Sequence, residues 1–297
     1  MERIGKYVVH KAVPTTGYAK IICCHDPDLQ VAVALKVFSP RGGSDTALSP
    51  PQWQARFQAE ARALASFDHP HIIGVKSMEI APDGRPFFVM PYMVSSLTAE
   101  IGKDGAGEGD DKARRLPLVR ALAVLKQSAA ALMALHRRGM VHRAVKPSNI
   151  LLSARENGVV KLADFSMVKL AERNPPLPDH WLGSTEYCAP EQRENASSVD
   201  ARADVYSLGV LTYRLLTAAL PDPAAGAAQL PDRHAAVLVK LVAEATDPDP
   251  DKRPAHAGIF LQALGQVPAE ALAKPKVQVV PVRRPAAVLT AKKVVAG

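Results

Sequence analysis

The sequence predicts an α+β chain in two lobes, a small and mainly antiparallel β-sheet lobe carrying one helix, then a larger and mainly helical lobe. Three observations predict it. Strand-like runs rich in β-branched residues crowd residues 1–90 around a single helical stretch. From residue 94 the character changes to long segments with helical apolar spacing. The composition, 47% hydrophobic and 22% charged over 297 residues, suits a globular chain with a sizeable core.

The first lobe starts with Tyr7–Val13 and Ala19–Cys24, separated by the turn-like Pro14-Thr15-Thr16-Gly17. After the turn His25-Asp26-Pro27-Asp28, Val31–Phe38 reads as a third strand. Residues 39–51 read as loop, with Gly42-Gly43 and Pro50-Pro51. Over 52–67 a helix is predicted, because Phe57, Ala61, Leu64 and Ala65 fall on one face. Ile72–Ile80 and Pro86–Tyr92 follow as strands around Pro82-Asp83-Gly84. In the second part, Gly105–Asp111 is a polar loop and Leu116–His136 a long helix. Ile150–Leu152 and Val159–Leu162 are short strands, and Asp204–Thr217 and Ala235–Ala245 are helices. Beyond about 267, Pro, Val, Ala and basic residues mix without a sustained helical pattern.

Charge and cysteine usage bound the function classes. Lys274, Lys276, Arg283, Arg284, Lys292 and Lys293 stand against Glu270 alone at the C-terminus, so most of the net charge of +8 lies there and little belongs to the globular body. No run of 18 or more apolar residues predicts a membrane span, and the N-terminal residues lack the apolar core of a signal peptide. Cys23, Cys24 and Cys188 form no CxxC pair, and neighbours on a strand point to opposite faces. Reduced thiols and a cytoplasmic location are the expectation.

The specific signal lies in the middle of the chain. His142-Arg143-Ala144-Val145-Lys146-Pro147-Ser148-Asn149 is followed by Asp164-Phe165-Ser166, then by Gly183-Ser184-Thr185-Glu186-Tyr187 and Ala189-Pro190-Glu191. Val33-Ala34-Leu35-Lys36 lies upstream, and Asp200–Gly209 and Arg253 lie downstream. This ordered set resembles the eukaryotic-type Ser/Thr protein kinase family, with its lysine strand, H-R-D-x-K-x-x-N loop, D-F-G and A-P-E motifs. The resemblance covers roughly residues 5–266, and short loops with alanine-rich helices bring it nearer to compact bacterial members. It implies the bilobal protein kinase fold over 1–266, with an N-lobe of about 1–90, a hinge at 91–93, a C-lobe of 94–266, and a basic tail over 267–297.

The resemblance also assigns roles. Lys36 matches the lysine that holds the α/β-phosphates, and Glu60 its ion-pair partner rather than part of a solvated helix face. Asp164 and Asn149 match the Mg²⁺ ligands, both hard oxygen donors. Lys146 matches the lysine that steadies the transferring phosphate. Ile21 and Ala34 from above and Leu151 from below could sandwich an adenine, although the same three positions would equally pack the lobes together. Met90 guards the back of the cleft, and Pro91-Tyr92-Met93 forms the hinge, whose hydrogen bonds would come from the Pro91 carbonyl and from Met93. His142, Phe165 and Leu64 would stack as an internal spine, Glu191 would pair with Arg253, and Asp204 would anchor the catalytic loop.

The pattern breaks where chemistry is done. Ala144 replaces the aspartate that orients the acceptor hydroxyl and takes its proton. Such base assistance is worth about 10²–10⁴ in rate, or roughly 3–5 kcal/mol of barrier. Pro14, Thr16 and Ala19 replace all three glycines of the phosphate loop, which removes a donor and adds bulk. Ser166 replaces the D-F-G glycine, and residues 167–183 hold no Ser, Thr or Tyr to accept a regulatory phosphate. Asn174-Pro175-Pro176-Leu177-Pro178 reads as a stiffened segment, and Ser184 as the residue facing the catalytic loop.

Two functions follow from this pattern. One is a pseudokinase, a regulatory or scaffolding protein with a protein partner, for which ATP and Mg²⁺ are weakly bound or absent. The other is a low-activity Ser/Thr kinase, for which the retained Lys36, Glu60, Lys146, Asn149 and Asp164 speak. The tail reads as a solvated extension, or as a docking segment in which Val277–Val282 adds as a strand. It lacks the interleaved aromatics or amphipathic helix of a nucleic-acid or lipid binder.

Overall fold

The structure, a computed structural model, describes residues 2–13, 18–40, 48–104, 112–154, 157–170, 185–231 and 234–272. The phosphate-loop positions Pro14, Thr16 and Gly17, the proline-rich stretch with Ser184, the Gly105–Asp111 loop and the tail from 273 onward lie outside them.

The N-lobe is a six-stranded antiparallel sheet in the order β1-β2-β3-β4-β6-β5. Its strands are β1 (Arg3–Ile4), β2 (Tyr7–Val13), β3 (Ala19–Asp26), β4 (Val31–Phe38), β5 (Ser77–Ile80) and β6 (Pro86–Pro91). Directly opposed residues share a face. Cross-strand pairing therefore lines up Val13, Ile21 and Lys36 in one row, and Cys23, Ala34 and Met90 in the next. The other face of β4 buries Val33, Leu35 and Val37 with Val89, Phe87 and Cys24 in a second apolar cluster. Burial on both sides is why β4 is an almost continuous apolar run. The sheet curls, because Tyr7 of β2 meets Phe87 edge-on at 6.0 Å and donates its hydroxyl to Glu79 of β5 at 2.8 Å.

Helix α1 (Pro50–Ala65) covers the first face. It starts two residues before the predicted position. Proline at the first helical turn gives up an N–H that would have no partner there, and Gln52 Oε1 accepts from the Ser49 N–H at 2.7 Å. The strand predicted over 72–80 shrinks to Ser77–Ile80 for a traceable reason. The Ile73 N–H donates to the Leu162 carbonyl, and the Leu162 N–H donates to His71. This stretch ties the N-lobe to the C-lobe and does not join the sheet.

Beyond the hinge come β7 (Ser95–Ser96), α2 (Leu97–Ile101), α3 (Leu118–His136), β8 (Ile150–Leu152) and β9 (Val160–Leu162). Helices α4 (Pro190–Glu194), α5 (Ala201–Thr217), α6 (Ala236–Ala245), α7 (Ala257–Gly265) and α8 (Ala269–Leu272) complete the lobe. By length and composition α3 could cross a membrane. Here it is the axis of the C-lobe, with Ala121, Val124, Leu125, Ala129, Leu132 and Leu135 fully buried. Helix α5 starts at Ala201, three residues early, because the Asp200 side chain caps it by accepting from the Arg202 N–H at 2.8 Å.

Gly209 marks the closest approach of α5 to α6. A Cβ there would come within 2.8 Å of both Ala245 Cβ and Thr246 Cγ2. Neither neighbour can swing aside, since Thr246 Oγ1 holds both the Val242 carbonyl and the Ala228 N–H at 2.7 Å. Gly209→Ala should therefore destabilise the fold by about 1–2 kcal/mol in urea melts, because overpacking outweighs the better helix propensity of alanine. An unchanged or raised midpoint would refute the tight α5–α6 contact.

Candidate active site

Lys36 is the centre of the cleft. Its position on β4 turns it toward α1, where its ammonium meets Glu60 Oε1 at 2.6 Å and Oε2 at 2.9 Å. A third bond, at 3.0 Å, runs to Asp164 Oδ1 in the segment after β9. Both Lys36 and Glu60 are buried. Burial alone would drive the Lys36 ammonium toward neutrality, but the Asp164 and Glu60 charges overcome it and raise its pKa. For Asp164 burial pushes upward. Lys36, followed by the Ser166 hydrogen bond, outweighs it and holds the carboxyl well below its usual range.

Glu60 has a further partner that sequence reasoning missed. Tyr18, within the phosphate loop between Thr16 and Ala19, donates its hydroxyl to Glu60 Oε2 at 3.0 Å. Its ring stacks on Trp53 of α1 with centroids 4.6 Å apart. An aromatic residue directly after Gly17 was the signal available for it.

The adenine-side candidates come together in one cluster. Ala34 and Met90 are buried in it, and Ile21, Met93 and Leu151 pack against it. Val13, opposite Ile21, belongs to the same roof and was also missed. Pro91 ends β6 opposite Val33, and the Val94 N–H donates to the Leu152 carbonyl at 3.0 Å, so the hinge passes directly onto β8.

The His142–Asn149 loop is held by Asp204, which is fully buried. Its oxygens accept from the Arg143 N–H at 2.7 Å and the His142 N–H at 2.8 Å, and bond His136 Nε2 at 2.9 Å. His142 Nδ1 accepts from the Ala144 N–H, so Nε2 carries the proton and donates to the Ala163 carbonyl at 3.2 Å. Arg143 takes the left-handed backbone conformation, φ 63°. The His142 ring meets Phe165 edge-on at 5.1 Å. The ring that meets Phe165 from beyond the end of α1 is Phe67, at 6.2 Å, while Leu64 lies buried in the same core. Glu191 and Arg253 form a two-pronged pair at 2.7 and 2.9 Å.

Lys146 leads into a single 3₁₀ turn, Pro147–Asn149. Asn149 Nδ2 donates to the Ala144 carbonyl at 2.8 Å. Asn149 Oδ1, which accepts from the Ser148 hydroxyl at 3.4 Å, is the amide oxygen that would meet a cation, and the Asn149 carbonyl, by accepting from the Ala163 N–H, ties the residue to the one before Asp164. An amide oxygen next to a carboxylate kept ionised is a donor set that fits Mg²⁺.

Arginines hold the flanks of the activation segment through carbonyls. Arg56 of α1 donates to the Ser166 carbonyl at 2.6 Å. Arg143 donates to Ala196 at 2.6 Å and to Met167 at 2.7 Å. Burial lowers the Arg143 pKa to about 10.

A small antiparallel sheet lobe and a helical lobe that meet at the buried Lys36–Glu60–Asp164 network have the architecture of the protein kinase fold. Residues 7–286 match the protein kinase domain, and the chain belongs to the eukaryotic-type Ser/Thr protein kinase family in its bacterial form. It is 31% identical over 276 residues to the serine/threonine-protein kinase pkn3 of Myxococcus xanthus, covering 89% of this chain and 47% of that protein. It is 35% identical over 219 residues to PknL of Mycobacterium tuberculosis, covering 73% of this chain and 50% of that protein. The chain thus spans half or less of the length of these relatives. Among solved structures it is similar to the Mycobacterium tuberculosis PknI kinase domain, with a TM-score of 0.64 and 25% identity over 90% of this chain and 98% of that one.

The depressed Asp164 pKa makes a pH prediction. Its contribution to stability is present above the unfolded carboxyl value of 3.8 and is lost as pH falls through the lower folded value. Asp164→Asn removes that contribution. The melting-temperature gap between parent and variant should therefore be full near neutral pH and shrink below about pH 4. A gap that stays constant through that range would show that Asp164 is not held ionised by Lys36.

Proposed function

We propose that this chain is a catalytically silent kinase homologue, a regulatory or scaffolding module of the family. The observation that carries the reading is Ala144 in a loop whose backbone is fully in place. Asp204 holds the two preceding N–H groups, and Asn149 holds the Ala144 carbonyl. What is missing is the carboxyl side chain, with its roughly 10²–10⁴-fold effect on rate. The carboxylates tied to or beside the loop are already committed, Asp204 to His136 and the loop N–H groups, and Asp164 to Lys36. Mg²⁺ would sit between Asn149 and Asp164, and when bound it would neutralise charge on a nucleotide's phosphates.

A silent module acts through a protein partner. The basic tail over 267–297 is proposed as its docking segment, and the cytoplasm as its place of action. The assembled Lys36–Glu60–Asp164 network favours a second reading, weak Ser/Thr kinase activity.

With Mg-ATP and a mixed Ser/Thr peptide substrate, the parent chain should transfer no more phosphate than its Lys36→Met variant. Ala144→Asp, placed in a loop already in position, should gain about 10²-fold or more. Parent activity that disappears with Lys36→Met would replace the silent reading with the weak-kinase one.

A further inference from the structure

The strap that ties the lobes together is built on two half-buried histidines. Residues 69–73 follow α1, and their outward hydrogen bonds run to β9. The Ile73 N–H donates to the Leu162 carbonyl at 2.9 Å, and the Leu162 N–H donates to the His71 carbonyl at 2.8 Å. Leu162 stands two residues before Asp164, so the strap bears on where that carboxylate sits.

The turn within the strap depends on an imidazole lone pair. His69 Nδ1 accepts from the His71 N–H at 3.1 Å, so the ring hydrogen of neutral His69 is on Nε2. His71 Nδ1 lies 3.1 Å from the Val160 carbonyl and therefore carries a hydrogen. The two ring centroids are 5.7 Å apart. Lys161 Nζ donates to the carbonyl of Pro70, the residue between the histidines, at 2.8 Å. Among the described residues no carboxylate is bonded to any of these three groups. Of the other charges on the elements packed there, Asp68 is exposed at the end of α1, and Arg138 after α3 is directed at Ser66 and the Phe67 ring. Burial, followed by the His71 and Lys161 charges, lowers the His69 pKa from its usual value.

We propose that His69 is a proton-operated release for the lobe junction. His71 can take a second proton on Nε2 and keep its bond to Val160. His69 can take one only on Nδ1, which turns the acceptor into a donor facing the His71 N–H and sets a positive charge beside Lys161. Neutral His69 holds the strap on β9. Protonated His69 leaves the His71 N–H without its acceptor and loosens the two bonds to Leu162, so acidification weakens the hold of the N-lobe on β9 and, through it, on Asp164. The device needs no phosphate on the activation segment, and it works whether or not the chain transfers phosphate. A histidine whose folded pKa lies below its unfolded value of 6.5 contributes stability that is full above 6.5 and is lost as pH falls from there through the folded value.

The test follows protection of the Ile73 and Leu162 amides against hydrogen exchange in the full chain, from about pH 7.5 to about pH 5. His69→Asn is the comparison, because a side-chain amide oxygen can accept from the His71 N–H and does not titrate. The parent should lose at least about threefold in protection across this range. The His69→Asn chain should hold its protection, and amides within α5 should not separate the two chains. Equal losses in both chains, or protection that stays level in the parent, would overturn the proposal. The ring ¹⁵N resonances of His69 in the parent need no substitution. Nδ1 should be unprotonated at neutral pH and gain its proton within the same window. A ring that already carries its hydrogen on Nδ1 at neutral pH sinks the proposal even where His69→Asn does not fold.

Discussion

An ammonium group removed from water is the constraint on which this structure turns. Burying a charge costs several kcal/mol unless partners replace the lost hydration. Lys36 finds those partners on two elements outside its own strand, Glu60 on α1 and Asp164 after β9. Neutralising it therefore requires α1 to sit inward and the lobes to close. Closure in turn builds the apolar cluster that runs from Phe38 and Phe57 through Met90 to Phe165. The charge network gives the two lobes one mutual geometry, and the apolar contacts supply the bulk of the attraction.

The second anchor, Asp204, separates two properties that usually travel together. The shape of the His142–Asn149 loop depends on buried groups, namely the Asp204 carboxylate, the His142 ring and the Asn149 amide. Its chemistry depends on the side chain at position 144, where alanine stands in place of the family's aspartate. Removing a group of the first kind leaves a buried polar atom unsatisfied and costs stability. Removing the second leaves the hydrogen bonds of the loop intact. A chain can replace the residue at this position and keep the scaffold with little thermodynamic penalty, and Ala144 sits in a loop whose hydrogen bonds are intact.

Much of this was legible from residue order alone. Strands β2, β3, β4 and β6 declare themselves by β-branched and apolar runs, and Lys36, Glu60, Asn149 and Asp164 by their match to the motifs of the family the sequence resembles. Apart from the helix starts set by local caps, the failures share a cause, which is that they depend on partners distant in sequence. Pro50 starts a helix because of a local satisfied end, but the stretch 71–73 leaves the sheet because Leu162, about ninety residues on, accepts from the Ile73 N–H and donates to the His71 carbonyl. Helix α7 went unpredicted, and part of its start is supplied by His136, whose Nδ1 accepts from the Ala257 N–H at 3.1 Å. Tyr18 reads as a loop residue until Trp53 and Glu60 are brought beneath it. Single-sequence patterns report what a segment prefers, not which distant group will satisfy it.

The arginines around the activation segment extend the same logic to regulation. A guanidinium carries five N–H donors, and Arg143, 2% exposed, directs its own to the carbonyls of Met167 and Ala196. Arg56 does the same at Ser166, and Arg193 at Thr185 and Cys188. Each bond is charge-assisted, and so stronger than a neutral one. A phosphate would have to displace bonds already made by a buried cation, so its net gain in ordering this region would be small. The absence of hydroxyl side chains over residues 167–183 fits that arrangement. The ends of the segment are held by backbone carbonyls, which no modifying enzyme can add or remove.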